Sequence, residues 1–329
     1  MATRRRKVGE MLLLLLLLLA TATTAQGGFF GCNHSLFFNS SVTSLALKKF
    51  YNNTRGREKW PSQFSRGWET EEPCAWDNDE RAHPPPSGTR CVNGGWHAFP
   101  PEGDGGLLFL EHYSGEAEGK VPEEFKAFQM TSTIGLAYNK LSGPLWDTSY
   151  HCFLQKLDVA HNRFSGTLPD NFMIRNIHAE IINLAYNQFG GRLPKTLPTL
   201  SNLVVLLLDH NEFDGEIPDL SSLQQLHQIS LGYNKFTGKL GEWVGKLRSL
   251  GWLELEHNRL EGPLPPLPGN ITRVNFAGNS FTGEVPEEYS RLGYLRYFNC
   301  TGCKLTCPKN DLLSHLKFSS HCTTRGATP

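Results

Sequence analysis

A four-residue motif ending in Asn returns seven times through the middle of the chain. Its copies are Leu136-Ala137-Tyr138-Asn139, Val159-Ala160-His161-Asn162, Leu184-Ala185-Tyr186-Asn187, Leu208-Asp209-His210-Asn211, Leu231-Gly232-Tyr233-Asn234, Leu255-Glu256-His257-Asn258 and Phe276-Ala277-Gly278-Asn279. Successive Asn residues are 23, 25, 24, 23, 24 and 21 positions apart. No single period of that length can bury its own apolar face, so the periods must stack as coils around one continuous core. The fullest copy, Leu203-x-x-Leu206-x-Leu208-x-x-Asn211-x-Phe213, explains how. Its Leu positions alternate along a short strand and point inward. The Asn faces the interior with a side chain that donates and accepts, so a ladder of Asn139, Asn162, Asn187, Asn211, Asn234, Asn258 and Asn279 can satisfy buried backbone groups between coils.

After the ladder Asn most coils continue as Gly-x-x-Pro: Gly166 to Pro169, Gly191 to Pro194, Gly215 to Pro218, Gly262 to Pro265 and Gly283 to Pro286. Upstream, Ala46 to Phe50, Trp68, Cys74-Ala75-Trp76 and Cys91 form a further block. Together these features resemble the plant-type leucine-rich repeat with its N-terminal cap, as in receptor-like protein ectodomains and polygalacturonase-inhibitor-like proteins. The resemblance implies an α/β solenoid, a curved right-handed superhelix with a parallel concave sheet, a second short strand in each coil and disulfide caps at both ends. We count about nine coils. Gly115 stands one period before Asn139, and Cys300, after Leu292, Leu295 and Tyr297, takes the next ladder slot. The chain departs from the family in having only Cys74 where two adjacent cysteines are usual, which leaves the partners of Cys32 and Cys152 open. It departs again at Gly143-Pro144 and Gly241, where the second strands are expected to be weakest. Pro263, Pro265, Pro266 and Pro268 should carry their coil across in extended form.

The ends point to secretion. Arg4 to Lys7, the Leu12 to Leu19 run and the small residues that follow read as a signal peptide over 1–25. A cap region over 26–106, repeats over 107–300 and a cysteine-rich cap and tail over 301–329 complete the expected organisation. The apolar run is too short to span a bilayer, so a released extracellular protein without membrane insertion is expected. In an oxidising compartment the cysteines read as disulfides, here Cys74, Cys91, Cys300, Cys303, Cys307 and Cys322. Sequons at Asn33, Asn39, Asn52, Asn270 and Asn299 agree with that route. Lys+Arg and Asp+Glu both number 32, so neither a nucleic-acid nor a membrane-surface footprint is present.

No cofactor is implied, and no motif for catalysis is intact. Glu254 and Glu256 alternate on one strand without an acid–base companion. Cys303, Cys307, His315 and His321 imitate a zinc site, but a secreted chain oxidises such thiols and the reading is no metal. Residues between the buried Leu positions should instead form columns on the concave face. One column reads Lys156, Ile181, Val205, Gln228, Trp252, Arg273 and Tyr294; the next reads Gly135, Asp158, Asn183, Leu207, Ser230, Glu254, Asn275 and Arg296. These mix aromatic, aliphatic and charged types as an interface does. Trp252, Arg273, Tyr294 and Arg296, flanked by Glu254, Val205 and Leu207, are the expected binding residues. The Tyr/His alternation before each ladder Asn reads chiefly as repeat drift, with pH-sensitive binding through His161, His210 and His257 as a weaker alternative. The functional expectation is a non-enzymatic recognition module for a protein, peptide or cell-wall glycan, with a membrane co-receptor as further partner. The alternative is a structural or adhesive glycoprotein.

Overall fold

The computed structural model describes residues 108–111, 117–127, 131–306 and 317–319, all within one compact unit, Asn39–Pro329. The signal peptide, the whole N-terminal cap region over 26–106, Cys32, Cys74, Cys91, Cys307, Cys322 and the sequons at Asn33, Asn39 and Asn52 lie outside those residues.

Among the described residues each coil but the last contributes two short strands. The first set forms a parallel ten-stranded sheet: Leu108–Glu111, Thr131–Gly135, Lys156–Asp158, Ile181–Asn183, Val205–Leu207, Gln228–Ser230, Trp252–Glu254, Arg273–Asn275, Tyr297–Asn299 and Lys317–Ser319, each beside the next. The second set, from Glu118–Lys120 to Lys304–Thr306, forms a parallel nine-stranded sheet in the same order. The 301–329 segment, expected only to cap the stack, therefore adds a strand to each sheet. Strands form at Lys140–Gly143 and Lys235–Lys239 as well, although Pro144 and Gly241 interrupt the Gly-x-x-Pro pattern there. The two sheets differ in register. Val205, Gln228, Trp252, Arg273 and Tyr297 stand directly abreast. In the second sheet Asp214 pairs with Lys235 and Thr237 with Arg259, so that strands slip by two residues per coil.

The alternation explains the core. In most three-residue strands of the first sheet the middle residue is buried and its neighbours are partly exposed, as at Ile182, Leu206, Ile229 and Leu253. Each such burial contributes about 1.5–3 kcal/mol. Opposite them runs a spine of stacked rings, Phe164, Phe189, Phe213 and Phe236, with centroids 6.0, 6.2 and 6.2 Å apart. Two strands per coil leave few residues for the return crossing. The helical part of the described residues is accordingly five short 3-10 turns, among them Leu197–Thr199 and Glu242–Lys246, rather than α-helices. The Pro-rich stretch from Pro263 to Pro268 crosses without any helix, since its prolines donate no N–H.

The Asn ladder joins coil to coil. Asn211 Nδ2 donates to the carbonyls of Leu184, Leu208 and Asp209 at 2.9, 3.1 and 3.3 Å, and its Oδ1 accepts from Phe189 N at 3.0 Å. Asn187, Asn234, Asn258 and Asn279 repeat this pattern on equivalent partners. The next slot is not Cys300. Asn275 pairs with Asn299, which aligns Cys300 with Phe276 and Cys303 with Asn279. Cys303 Sγ meets Phe276 O at 3.4 Å, the carbonyl that a ladder Asn would take, and receives the N–H of Phe281. The expected disulfides at these two positions do not form. Cys300 and Cys303 are buried free thiols hydrogen-bonded to each other. Donation to Cys303, and then burial, push the Cys300 thiol up, while that same hydrogen bond holds Cys303 down. Cys152, also buried, is disulfide-bonded, and its partner lies outside the described residues.

Candidate functional site

The outward residues of the ten-stranded sheet form the expected columns as far as Arg273. Beyond it the corrected register replaces Tyr294 and Arg296 with Tyr297 and Asn299. Tyr294 is exposed before the strand, and Arg296 turns back to donate to Gly293 O at 2.9 Å. The slip has a simple origin. Leu292-x-x-Leu295-x-Tyr297 imitates the spacing of Leu203-x-x-Leu206-x-Leu208, whereas the chain buries Leu295, Phe298 and Cys300 in those roles. Counting 24 residues on from Asn279 would have found Cys303.

The remaining expected residues come together on one face. Val205 and Leu207 are half-buried beside Ile181, and Leu207 packs on Ala137, Ala160 and Ala185. Two coils on from Val205, Trp252 is 45% exposed, much for an indole without a covering partner. Arg273 Nε donates to Glu254 Oε1, and its guanidinium lies 4.1 Å from the centre of the Tyr297 ring. The Glu254 hydrogen bond raises Arg273 above its usual range and fixes the guanidinium between two coils. Near the opposite end, Lys156 Nζ stands 3.7 Å from Asp158 Oδ2.

Two further acids, Asp209 and Glu256, lie two residues past the Leu207 and Glu254 column in their coils. Asp209 Oδ2 is 3.1 Å from His210 Nδ1, and Glu256 folds over the bare backbone of Gly232 toward it. Burial, then the charges of Glu254 and Asp209, push the Glu256 carboxyl above the usual carboxylate range. Its Oε2 is buried without a hydrogen-bond partner.

The Tyr/His alternation is more than a sequence habit. Tyr138, His161, Tyr186, His210, Tyr233 and His257 form one unbroken stack with centroids 4.4, 4.2, 4.1, 4.2 and 4.4 Å apart. All six adopt the left-handed backbone region, with φ between 52° and 58°. Tyr138, Tyr186 and Tyr233 are large exposed rings. Sequence reasoning saw the alternation and not the stack, because the shared backbone conformation that aligns the rings has no signature beyond it.

Of the sequons within the described residues, Asn270 is exposed in a turn and donates to Arg248 O, while Asn299 stands on the sheet with its Oδ1 accepting from Thr301 N and Oγ1. Among the described residues no three His, Cys, Asp or Glu side chains are grouped to hold a metal, and no helix is long and apolar enough to cross a membrane.

A family profile described as Leucine Rich Repeat matches residues 153–173. Receptor-like protein 39 of Arabidopsis thaliana is 35% identical over 130 residues, covering 37% of this chain and 14% of that protein. Receptor-like protein 35 of the same plant is 36% identical over 102 residues, 30% of this chain and 10% of that one. The chain thus spans about a seventh or less of these relatives. Among solved structures, the HAESA ectodomain with an N-terminally extended IDA peptide hormone superposes with TM-score 0.59 and 27% identity, over 63% of this chain and 36% of that one. The PEPR1–AtPEP1 complex gives TM-score 0.68 at 22% identity, over 87% and 42%. A plant ice-binding protein gives 0.64 at 20%, over 89% and 90%; at such identity these last two speak for the fold alone. Seven ladder Asn residues, two parallel sheets and these likenesses give the chain the fold of a leucine-rich-repeat solenoid, similar over about a third of its length to plant receptor-like proteins.

Proposed function

We propose that this protein is an extracellular recognition module that binds a peptide or an extended segment of a protein across the ten-stranded sheet, from Ile181 to Tyr297. The observation that carries the reading is the composition of that face. A half-buried aliphatic ledge of Ile181, Val205 and Leu207 leads to an exposed Trp252 and a guanidinium locked between Glu254 and Tyr297. An aromatic anchor beside a pre-oriented Arg on a rigid sheet needs little ordering on binding, so most of the contact energy is retained as affinity. The HAESA ectodomain named above carries a peptide hormone, which supports the polypeptide class of ligand. Signalling would then pass through a membrane co-receptor.

The test is affinity capture from native extracellular material with the parent protein beside a Trp252→Ala, Arg273→Ala, Tyr297→Ala variant of equal melting temperature. Capture of one polypeptide by the parent and not by the variant is expected. Equal capture of many components by both would favour the structural or adhesive role instead.

A further inference from the structure

The ring stack stops short of the end of the sheet. Beyond His257 the equivalent positions are Gly278 and Gly302, with φ of 67° and 85°, so the backbone keeps the conformation that aligns the other rings while offering none. Both glycines are exposed, as are His257 and Thr301. Among the described residues a Cβ on Gly302 would meet nothing nearer than the Gly278 backbone at 3.6 Å. His257 is also the member least aligned with its neighbour. Its plane lies 28° from that of Tyr233, against 11° to 19° elsewhere, and it leans over Gly278, whose Cβ would come within 2.8 Å of Nδ1. An imidazole with one face stacked and the other turned to an open glycine floor is an unfinished pair.

We infer that this open end receives an aromatic side chain of the bound polypeptide, which stacks on His257 above Gly278 and Gly302 as the seventh ring. The alternation assigns the ring type: every imidazole inside the stack lies between two phenol rings, and among the described residues His257 stacks on Tyr233 alone. A tyrosine or phenylalanine ring completes the pattern by offset stacking at the separation the other five pairs already use. Fixed, ordered neighbours make the place pre-formed, so its contribution is not spent on rearranging the protein. The inference rests on the recognition reading above and adds to it the residue the ligand presents and where that residue sits.

The probe is N-acetyl-tyrosinamide, with N-acetyl-leucinamide as control, titrated against the whole glycosylated protein while the His257 ring protons are followed by NMR. The tyrosine probe should move the His257 ring protons upfield in a saturable way and the leucine probe should not. Gly278→Tyr fills the place from within, in a backbone conformation that three tyrosines of the same column already adopt, once the His257 ring swings off Gly278, and should abolish the shift. His257→Asn keeps a residue that tolerates left-handed backbone and removes the stacking face. Followed in parent and variant alike on the ring protons of the probe itself, this change should weaken the tyrosine probe by about threefold to tenfold, the worth of one aromatic pair. Identical shifts with both probes, or a tyrosine response that persists in Gly278→Tyr, would overturn the proposal. Because the titration needs no native ligand, its failure leaves the capture experiment standing, and failure of capture leaves the titration readable.

Discussion

Asn211 serves three carbonyls and one amide with a single side chain, and its position was readable because only a residue that both donates and accepts can do so. Replacing it with Ala strands Phe189 N in the interior, at a cost of about 1–3 kcal/mol, and leaves Leu184 O with Asn187 Nδ2 as its remaining side-chain donor. Chemical denaturation should therefore show Asn211→Ala destabilised by about 1–3 kcal/mol, and an exposed control such as Glu212→Ala nearly unchanged. Glu256 behaves in the opposite sense. Its carboxyl is raised in the folded chain, so the unfolded chain loses this proton first as pH climbs. The resulting cost is fully present above the folded pKa and lifts as pH falls through it toward the ordinary carboxylate value. Glu256→Gln should raise the melting temperature at pH 7, with the gain shrinking toward about pH 4. A gain that is constant with pH would mean that the carboxylate is compensated. Nothing in the sequence revealed Glu256's situation, since it arises from a missing side chain at Gly232, one coil away.

At the scale of the element, strand positions were legible wherever Leu alternated, and register was not. The last coil was misread by three residues because Leu292 and Leu295 imitate the start of the repeat, and only pairing of Asn275 with Asn299 resolves it. Tyr294 and Arg296 left the candidate face for that reason, and Tyr297 entered it. The same shift places Cys303 where a ladder Asn belongs, with a sulfur bonded weakly to Phe276 O. Cys303→Asn should consequently stabilise the last coil by about 1 kcal/mol, seen as a higher midpoint in reducing buffer. The ring stack also belongs here. Six non-glycine residues in left-handed backbone each bear a conformational cost, offset by two ring contacts for every interior member. Tyr186→Val keeps the cost, loses both contacts and adds a β-branch, so it should destabilise more than Tyr186→Asn.

For the whole molecule, each coil touches only its neighbours through the two sheets and the ladder, and the sequence period conveyed that architecture before any coordinate did. What it could not convey was where the stack ends, because Lys304–Thr306 and Lys317–Ser319 continue both sheets with no ladder Asn to announce them. Removing residues 212–234 would join Asn211 to Lys235 and delete one complete coil. The shortened protein should still fold, with circular dichroism of the parent and a modestly lower melting temperature, whereas deleting a single residue such as Ile229 should unfold it by reversing the strand's inward face.

Two columns of rings cross the same coils at different spacings. The exposed Tyr/His rings repeat every 4.1 to 4.4 Å, and the buried Phe rings repeat every 6.0 to 6.2 Å in near-parallel planes. Neighbouring coils therefore meet as wedges, thin at the solvent-facing rings and thick at the phenylalanines. Side-chain bulk sets the angle of each joint. The phenylalanine column breaks at Leu260 and the Tyr/His column at Gly278, so the tilt between coils is a local quantity, adjustable one substitution at a time, through which the chain can match its face to the outline of whatever lies across it.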